Sequence, residues 1–417
     1  MGRDIPLGWT VKKVVELVSY HVSGPSPNCE ERPVQDGEWG LLKTTAITWD
    51  GWDQNAHKTL PPEYWGQRDL EVHEDDVLVT KAGPRHRVGV VAHVDCTPPR
   101  LMVSGKMVLL RPDRSVVEPR ILAGALSVES VQRHLDERTT GMAESQVNFS
   151  NLALLNTPLL LPSLSEQRRI AEILDTLGDQ IKTIENLIAK TICQKSGLIE
   201  QLMSRDSTSS PHRNIGSVLA RIDAGWSPLC NERHPARNEW GVLKVSAITS
   251  GRYRCEESKT LLPGMTPRPD IEVRNGDLLI CRANGAQGLV GVAVLVDETP
   301  PRHMLSDKIL RLVVDESQIS AAYLNLFLAS NYARGQVAAF LSGSSGQNNI
   351  SQHLIKSMIV HVPSLQRQQQ AVRVVAVVDG LLRSYENDLV KLGGLKQGLM
   401  DDLLTGRVRV REYENAL

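Results

Sequence analysis

Residues 161–174 have the sequence Leu-Pro-Ser-Leu-Ser-Glu-Gln-Arg-Arg-Ile-Ala-Glu-Ile-Leu, and residues 362–375 open in the same way with Val-Pro-Ser-Leu. Proline prevents a helix from extending upstream, and the serine that follows it is a favourable N-cap. Each segment therefore predicts the start of a helix. In the first, Ser163 and Glu166 have the spacing of a capping box. The second has Arg367 at the matching position, so we expect a weaker cap there.

Apolar residues follow both starts at alternating steps of three and four. This spacing places one apolar stripe along each helix, as in a coiled-coil seam. The predicted seam positions are Ile170, Leu174, Leu177, Ile181, Ile184, Ile188, Leu198 and Leu202 in the first helix, and Val375, Val378, Leu382, Tyr385, Leu389, Leu392, Leu399 and Leu403 in the second. A narrow stripe favours pairing of the two helices with each other. The alternative is that each helix packs separately on its own domain.

The two helices belong to a longer repeat with an offset of 201 residues. The repeated words are Ser-Pro at 26 and 227, Glu-Trp-Gly at 38 and 239, Ala-Ile-Thr at 46 and 247, and Lys-Thr-Leu at 58 and 259; Thr-Pro-Pro-Arg at 97 recurs at 299, one residue out of register. Solenoid repeats have periods of roughly 20–50 residues, so this period indicates a duplicated domain with its helix. The segments between the repeated motifs differ in sequence between the two copies, which suggests that the copies perform one task on two different targets.

The remaining sequence predicts mixed α/β (α+β) globular domains. We expect strands at 77–79, 88–94, 107–110, 278–281, 289–296 and 309–314, a helical segment at 318–340 and a shorter counterpart at 127–135. The expected organisation is a first globular domain at 1–160, its helix at 161–205, a second domain at 206–361, its helix at 362–410 and a tail at 411–417. The two helices are expected to pair as an antiparallel coiled coil.

Composition excludes several classes of protein. The 417 residues include 47 basic and 48 acidic side chains, so there is no global attraction to nucleic acid or membranes. There is no apolar run of about 18 residues, which predicts that no segment crosses a membrane. The six cysteines form no Cys-x-x-Cys pair, so a zinc site is not expected. Their small number and wide spacing are typical of a reducing compartment, so we expect a cytoplasmic location.

A catalytic constellation is not evident in the sequence. There is no phosphate-binding Gly-x-x-x-x-Gly-Lys loop and no dinucleotide fingerprint. The segments at 97–100 and 156–159 lack the aromatic residue with which a methyltransferase loop would stack on a flipped base. The eleven histidines show no ligand spacing. We therefore predict a protein that is not an enzyme and holds no metal or cofactor of its own.

Taken together, these residues resemble the specificity subunit of Type I restriction–modification enzymes over nearly the whole chain. The resemblance rests on the order of several motifs, given twice and each time ending in a heptad helix. The motifs are Ile-Pro-Leu-Gly-Trp at 5–9, Gly-x-Ser-Pro at 24–27 and 225–228, Gly-Asp-Leu-Leu-Ile-Cys-Arg-Ala-Asn-Gly at 276–285, Gly-Gln-Asn-Asn-Ile-Ser at 346–351, and the helix opening at 161–174.

The resemblance implies that each globular part is a target recognition domain for one half of a split, asymmetric DNA site. It implies that the two helices pair antiparallel and set the gap between the half-sites. It further implies two modification (methyltransferase) subunits as partners, with restriction subunits joining them in defence against phage. S-adenosylmethionine would then be bound by the modification subunit and not by this chain.

DNA readout needs arginine or lysine for guanine and phosphate, and asparagine or glutamine for adenine. Two loops in each domain offer such side chains, one after the central strand and one before the last strand. The candidates are Lys81, Arg85, His86, Arg87, Gln146 and Asn148 in the first copy, and Arg282, Asn284, Gln287, Ser345, Gln347 and Asn348 in the second. Lys43 and Lys244 lie in the repeated framework, where phosphate contact or structural support is expected. The alternative for each residue is an ordinary solvated loop position.

Two other functions remain open from the sequence. A stand-alone DNA-binding regulator with two domains would share the duplication, although it would not need the long helices. A diverged single-chain nuclease or methyltransferase would bind S-adenosylmethionine or metal by itself.

Overall fold

The computed structural model describes residues 5–49, 51–143, 146–207, 210–342 and 348–410. It divides into two compact units. The first unit comprises Met1–Ile184 and Asp388–Leu417, and the second comprises Glu185–Asn387. Each unit therefore contains one globular domain together with a part of each long helix.

The first unit mixes short strands with helices. Its strands are β1 (Thr10–Lys13), β2 (Val18–Val22), β3 (Gly40–Leu42), β4 (Ile47–Thr48), β5 (Gly51–Trp52), β6 (His57–Thr59), β7 (Val77–Thr80), β8 (Ala82–Gly83), β9 (Val91–His93), β10 (Leu101–Met102), β11 (Met107–Pro112), β12 (Thr140–Ala143), β13 (Gln146–Asn148) and β14 (Pro158–Leu161). Its helices are α1 (Pro119–Ser127), α2 (Glu129–Asp136), α3 (Asn151–Leu155) and the start of α4 (Leu164–Ser207).

The second unit repeats this plan. Its strands are β15 (His212–Asn214), β16 (Leu219–Ala224), β17 (Cys230–Asn231), β18 (Gly241–Leu243), β19 (Ser258–Leu261), β20 (Leu278–Cys281), β21 (Ala293–Leu295), β22 (His303–Met304), β23 (Ile309–Val314) and β24 (Ile359–His361). Its helices are α5 (Ser246–Thr249), α6 (Ala321–Ala329), α7 (Asn331–Ser342), α8 (Gln352–Ser357) and the start of α9 (Leu365–Leu403).

A four-stranded antiparallel sheet lies at the centre of each unit, in the order β2-β11-β7-β9 and β16-β23-β20-β21. Its strands are apolar at successive positions because both faces are covered. In the first unit Val77 and Val79 pack in a core with α1, whereas Leu78 and Leu109 on the other face pack with Ile47. All six predicted strand segments contain strands of these central sheets.

The predicted helix at 318–340 is two helices. Ser330 separates α6 from α7, and its side chain donates to the Phe327 carbonyl at 2.6 Å and accepts from the Ala333 N–H at 3.3 Å. The hydroxyl therefore starts a new helix where apolar spacing alone predicts a continuous one. In the first unit α1 and α2 are also separate, but there the extended backbone of Val128 divides them without a side-chain cap. The shorter segment expected at 127–135 therefore covers mainly the second helix of that pair.

Two long helices follow the domains, as predicted. α4 has 44 residues and α9 has 39, which gives lengths of about 66 and 58 Å at ~1.5 Å per residue. In the first unit Ile170 near the start of α4 shares a core with Leu403 at the end of α9. In the second unit Ile199 near the end of α4 shares a core with Val375 near the start of α9. The helices therefore run antiparallel, and the predicted pairing is confirmed.

The predicted seam residues are all buried or half-buried. The pairing does not exclude packing on the globular domains, because Ile170 also contacts the core around α1, and Val375 the core around α6. Between the seam positions Ile188 and Leu198, where the apolar spacing is interrupted, Lys195 pairs with Asp379 at 2.5 Å within the second unit. The helix end expected near 410 comes earlier, at Leu403, since Gly406 adopts a left-handed φ of 73°.

The capping box predicted at the start of α4 is wrong in one respect. Ser163 Oγ accepts from the Glu166 N–H at 3.4 Å, as an N-cap should. The Glu166 carboxylate, however, accepts from Arg409 Nε at 2.8 Å and Nη2 at 2.7 Å. A cation from the distant C-terminal segment thus takes the carboxylate that the local pattern assigns to the cap.

A buried glutamine instead fixes the start of each long helix to its domain. Gln167 Nε2 donates to the Pro162 carbonyl at 3.0 Å, and its Oε1 accepts from the Glu118 N–H before α1 at 2.9 Å. Gln368 repeats the arrangement in the second unit. Its Nε2 donates at 2.9 Å to each of two carbonyls and its Oε1 accepts from the Ser320 N–H at 2.8 Å.

Two of the repeated words mark tight backbone positions. A Cβ on Gly24 would lie 1.7 Å from the Val103 carbonyl oxygen, and one on Gly225 would lie 2.1 Å from that of Ser306. Only glycine allows this approach, which explains the first residue of each Gly-x-Ser-Pro motif.

The repeated Thr-Pro-Pro-Arg turn also has one geometry in both units. Arg100 and Arg302 adopt left-handed φ values of 68° and 69°, which are unfavourable for residues other than glycine. The backbone N–H of each arginine donates at 2.6 Å to a carboxylate, from Glu71 in the first unit and Glu272 in the second. These hydrogen bonds offset part of the strain.

Within the described residues, no helix combines the length and apolar character needed to cross a membrane.

Candidate nucleic-acid interface

The two predicted loop sets of the first unit lie side by side. β8, which follows the central strand β7, pairs antiparallel with β13, so that Ala82 faces Asn148 and Gly83 faces Val147. The Phe149 N–H also donates to the Lys81 carbonyl at 3.1 Å. One edge of the unit therefore carries Lys81, the turn at 84–87 and the exposed side chains of Gln146 and Asn148.

The second unit brings its two loops together in the same way. Ala283 and Asn349 form a β-bridge, and the Asn284 N–H donates to the Asn348 carbonyl at 3.2 Å. Arg282 Nε donates to Asn349 Oδ1 at 3.3 Å. The candidates Ser345 and Gln347 lie outside the described residues. The sequence placed these loops far apart along the chain, and the fold joins them at one edge.

The loop after the central strand is held by a helix in both units, through residues that the sequence did not indicate. Arg334 of α7 donates to the Val290 carbonyl at 2.8 Å and to the Gly288 carbonyl at 2.6 Å. In the first unit Gln132 of α2 donates to the Gly89 carbonyl at 2.9 Å. An arginine or a glutamine in a helix does not by itself indicate that it will hold a loop, because only the fold brings the loop carbonyls within reach.

The three basic residues at 85–87 have different surroundings. Arg85 and His86 are exposed, and Arg85 Nη1 lies 2.5 Å from Asp136 Oδ1. Arg87 is half-buried, and its Nη2 donates to the carbonyls of Thr44 at 2.6 Å and Ile47 at 2.9 Å. Arg87 therefore holds the loop against the segment before β4, while Arg85 and His86 face solvent.

Lys81 lies in a polar cluster behind this edge. Its Nζ donates to Ser23 Oγ at 2.9 Å and to Asn151 Oδ1 at 3.0 Å. Partial burial lowers the pKa of Lys81, because removing an ammonium from water disfavours its charged form. Ser23 and Asn151 were not predicted from sequence, where nothing links them to Lys81.

In the second unit the amide side chains divide between support and exposure. Asn284 Oδ1 accepts from the Ala286 N–H at 3.0 Å, and Asn348 Nδ2 donates to the Gly285 carbonyl at 2.8 Å. Both asparagines thus stabilise the loop itself. Gln287 is exposed at the start of the single 3₁₀ turn that ends the loop. Its amide can offer the paired donor and acceptor that match an adenine edge.

The framework lysines are engaged in equivalent ion pairs. Lys43 lies 2.9 Å from Glu31, which also pairs with Lys58, and Lys244 lies 3.8 Å from Glu232. The pKa values of Glu31 and Glu232 are lowered, mainly by hydrogen bonds from Lys58 and its counterpart Lys259. This environment favours structural support for Lys43 and Lys244 over a direct phosphate contact.

Among the residues that the structure describes, no group of three or more histidine, cysteine or acidic side chains is arranged to hold an ion. Burial raises the pKa of the Cys281 thiol to about 11, so this thiol in the central strand stays protonated and unreactive at neutral pH.

Comparison with known proteins identifies similar chains. Residues 43–191 match the family model described as "Type I restriction modification DNA specificity domain". The Escherichia coli Type I restriction enzyme EcoEI specificity subunit is 40% identical over 163 residues, which are 39% of this chain and 27% of that protein. The chain thus spans about a quarter of that relative. The EcoKI specificity subunit of Escherichia coli K12 is 25% identical over 97% of this chain and 90% of its own length.

Two solved structures share the fold. The Type I restriction–modification S subunit from M. genitalium has a TM-score of 0.55 and 15% identity, with 97% of each chain covered. A chain from a structural study of complex assembly and conformational transition of the Type I system has a TM-score of 0.55 and 16% identity, with 97% of this chain and 100% of that chain covered.

Proposed function

We propose that this chain is a specificity subunit of a Type I restriction enzyme, like the proteins that it resembles, and that it selects the DNA target of a methyltransferase complex. In this proposal each unit recognises one half of a bipartite, asymmetric site. The chain performs no catalysis, and S-adenosylmethionine binds to the modification subunit. We also propose a cytoplasmic location, because the proposed target is DNA.

The observation that carries the proposal is the pair of edge loops. In both units a loop after the central strand pairs with a loop before the last strand. The framework around them is repeated, but the exposed side chains differ: Arg85 and His86 begin the 3₁₀ turn of this loop in the first unit, where Gln287 and Gly288 begin it in the second. One framework with two different recognition edges suits two half-sites of different sequence.

The long helices support the proposed partners. A tandem repeat with antiparallel helices offers two equivalent surfaces, which suits two copies of one modification subunit. The solved relative described as part of a complex assembly is consistent with such partners. We propose that restriction subunits join through the same complex.

Methylome sequencing tests the proposal. The chain is expressed with the modification subunit encoded beside it, and the modified sequence should be bipartite with a fixed gap. Gln287→Ala should change the preference in one half-site only. Gln201→Ala, an exposed substitution on α4, is the matched control and should change neither half-site. A variant that alters both half-sites together would contradict one unit per half-site, and specific binding by the chain without partners would favour a stand-alone regulator.

The helices are further proposed to set the gap. Inserting one heptad into both helices adds about 10 Å at ~1.5 Å per residue and keeps the apolar stripe inward. The gap should then grow by about three base pairs at ~3.4 Å each. Inserting two residues should rotate the stripe away from its partner and damage folding. An unchanged gap in an active heptad variant would leave the helices as docking surfaces alone.

A further inference from the structure

We propose that Trp49 contacts DNA and forms, with strand β4 that precedes it, a third recognition element in the first unit. The inference rests on the proposed function and extends it to a residue outside the two predicted loops. The group that Trp49 would contact is an apolar group of the duplex, either the C5 methyl of a thymine or the edge of a deoxyribose.

Trp49 lies at the turn between β4 and β5. The two strands pair so that Thr48 faces Gly51, and Thr48 Oγ1 donates to the Gly51 carbonyl at 3.0 Å. The Trp49 side chain is 56% exposed, whereas Trp9 and Trp39 are buried. An indole exposed to water directly after β4 leaves a large apolar surface uncovered, and such aromatic side chains are enriched where proteins bind partners.

The turn is joined physically to the candidate recognition loop. Arg87 donates to the carbonyls of Thr44 and Ile47, so the loop at 84–87 is tied to the segment that leads into Trp49. Trp49, Arg85, His86 and Phe149 line one open cavity of about 340 Å³. Arg87 is therefore a positioning residue, and the indole shares a concave surface with the two exposed basic side chains of that loop.

The charged groups at this cavity suit a nucleic acid better than an apolar protein segment. Its rim carries Arg85, His86 and Arg133, and the charges balance in the free protein because Arg85 pairs with Asp136 and Arg133 with Glu129. Both ion pairs are exposed and therefore weak, so a phosphate can replace either carboxylate as the partner of the guanidinium. Guanidinium groups beside an exposed aromatic ring match DNA, where phosphates flank apolar methyl and sugar groups.

The second unit lacks this element. Its position equivalent to Trp49 is Ser250, which follows the short helix α5, and Ser250 Oγ donates to the Arg252 carbonyl at 3.2 Å. The contact is therefore expected at one half-site only, and Ser250→Ala is a matched control.

The test uses the complete complex with its modification subunits and a duplex containing the methylated site. Trp49→Ala should weaken specific binding about tenfold, the size of a truncated interface anchor, while Trp49→Phe retains most of the affinity. Ser250→Ala should have no effect. Because Trp49 is exposed, its variants should keep the unfolding temperature of the wild type.

Replacing each thymine of the affected half-site by uracil distinguishes the two sources of the contact. A methyl contact predicts one position where uracil weakens the wild type but not Trp49→Ala, and a sugar contact predicts no such position. Equal affinity of Trp49→Ala and wild type would overturn the inference, as would impaired assembly of this variant with modification subunits in the absence of DNA. A wild-type complex with no sequence preference would instead refute the proposed function.

Discussion

The framework of the first unit reappears in the second almost contact by contact, whereas the recognition edge does not. Arg32 forms two hydrogen bonds of 2.7 Å with Glu38, and Arg233 forms two of 2.6 Å with Glu239. At the edge, however, two exposed basic residues in the first unit correspond to glutamine and glycine in the second.

The difference separates residues that position the edge from residues that it displays. A repeated side chain cannot distinguish two targets, so the repeated Arg–Glu pairs, glycines and helix-start glutamines are expected to affect stability. The loop residues are free to differ because the framework holds their backbone from behind, through Arg334 in one unit and Gln132 in the other. The following predictions test this separation.

The largest effect is expected where the framework allows no side chain. Gly24→Ala and Gly225→Ala each place a methyl against a backbone carbonyl oxygen, at 1.7 and 2.1 Å. Overpacking of this kind should cost about 3 kcal/mol or more, with Gly24→Ala the more damaging. Gly335→Ala in α7, whose Cβ would meet no atom within 4 Å, should instead stabilise by roughly 0.5–1 kcal/mol. Hydrogen exchange measured separately for the two units gives the change in the free energy of unfolding of each. Equal effects of the three substitutions would contradict the prediction.

The next largest effect is expected at the buried glutamines. Gln368→Met leaves one N–H and two carbonyls without their partner, whereas Gln167→Met leaves one of each. We expect losses of about 2–4 kcal/mol for Gln368→Met and about 1 kcal/mol less for Gln167→Met, since each buried unsatisfied group is costly. Denaturant titration followed by unit-resolved exchange measures both. The reverse order would contradict the attribution of these losses to the backbone groups left without a partner.

A smaller effect, on specificity, is expected at the edge. Gln287→Ala should lower discrimination at a single base pair by about 1–3 kcal/mol. Asn348→Ala releases the loop at the Gly285 carbonyl and should weaken binding to all sequences alike. Competition binding of the complex against every single-base-pair variant of the site separates these outcomes. Relaxed preference at one base pair in Asn348→Ala would mean that this asparagine contacts a base.

The smallest effect is expected on acid stability. Arg233 lowers the pKa of Glu239 to about 2, and Arg32 does the same for Glu38. A lowered carboxyl pKa stabilises the fold above the ordinary value of 4.5 and loses that contribution as the pH falls towards 2. The difference in melting temperature between wild type and Glu239→Gln should therefore be slight near pH 6, because the pair is exposed, and should vanish towards pH 2. A difference that is constant with pH would exclude the ion pair as its cause.

The sequence by itself determined the duplication, six of the eight strands of the central sheets and the two paired helices; β2 and β16 were not predicted. These features are local or periodic: the apolar stripe from Ile170 onward and the repeat at 201 residues are visible without a partner. Hydrophobic burial depends on such patterns, so they can be recognised without knowledge of the distant contacts.

Only the tertiary structure decided which residues support one another. Glu166 contacts Arg409 and not its own helix start, Asn284 and Asn348 stabilise a loop, and Trp49 shares a cavity with Arg85. Each of these depends on backbone groups or side chains brought together from distant parts of the chain. A hydrogen bond is formed within about 3 Å, and sequence spacing does not specify such a distance.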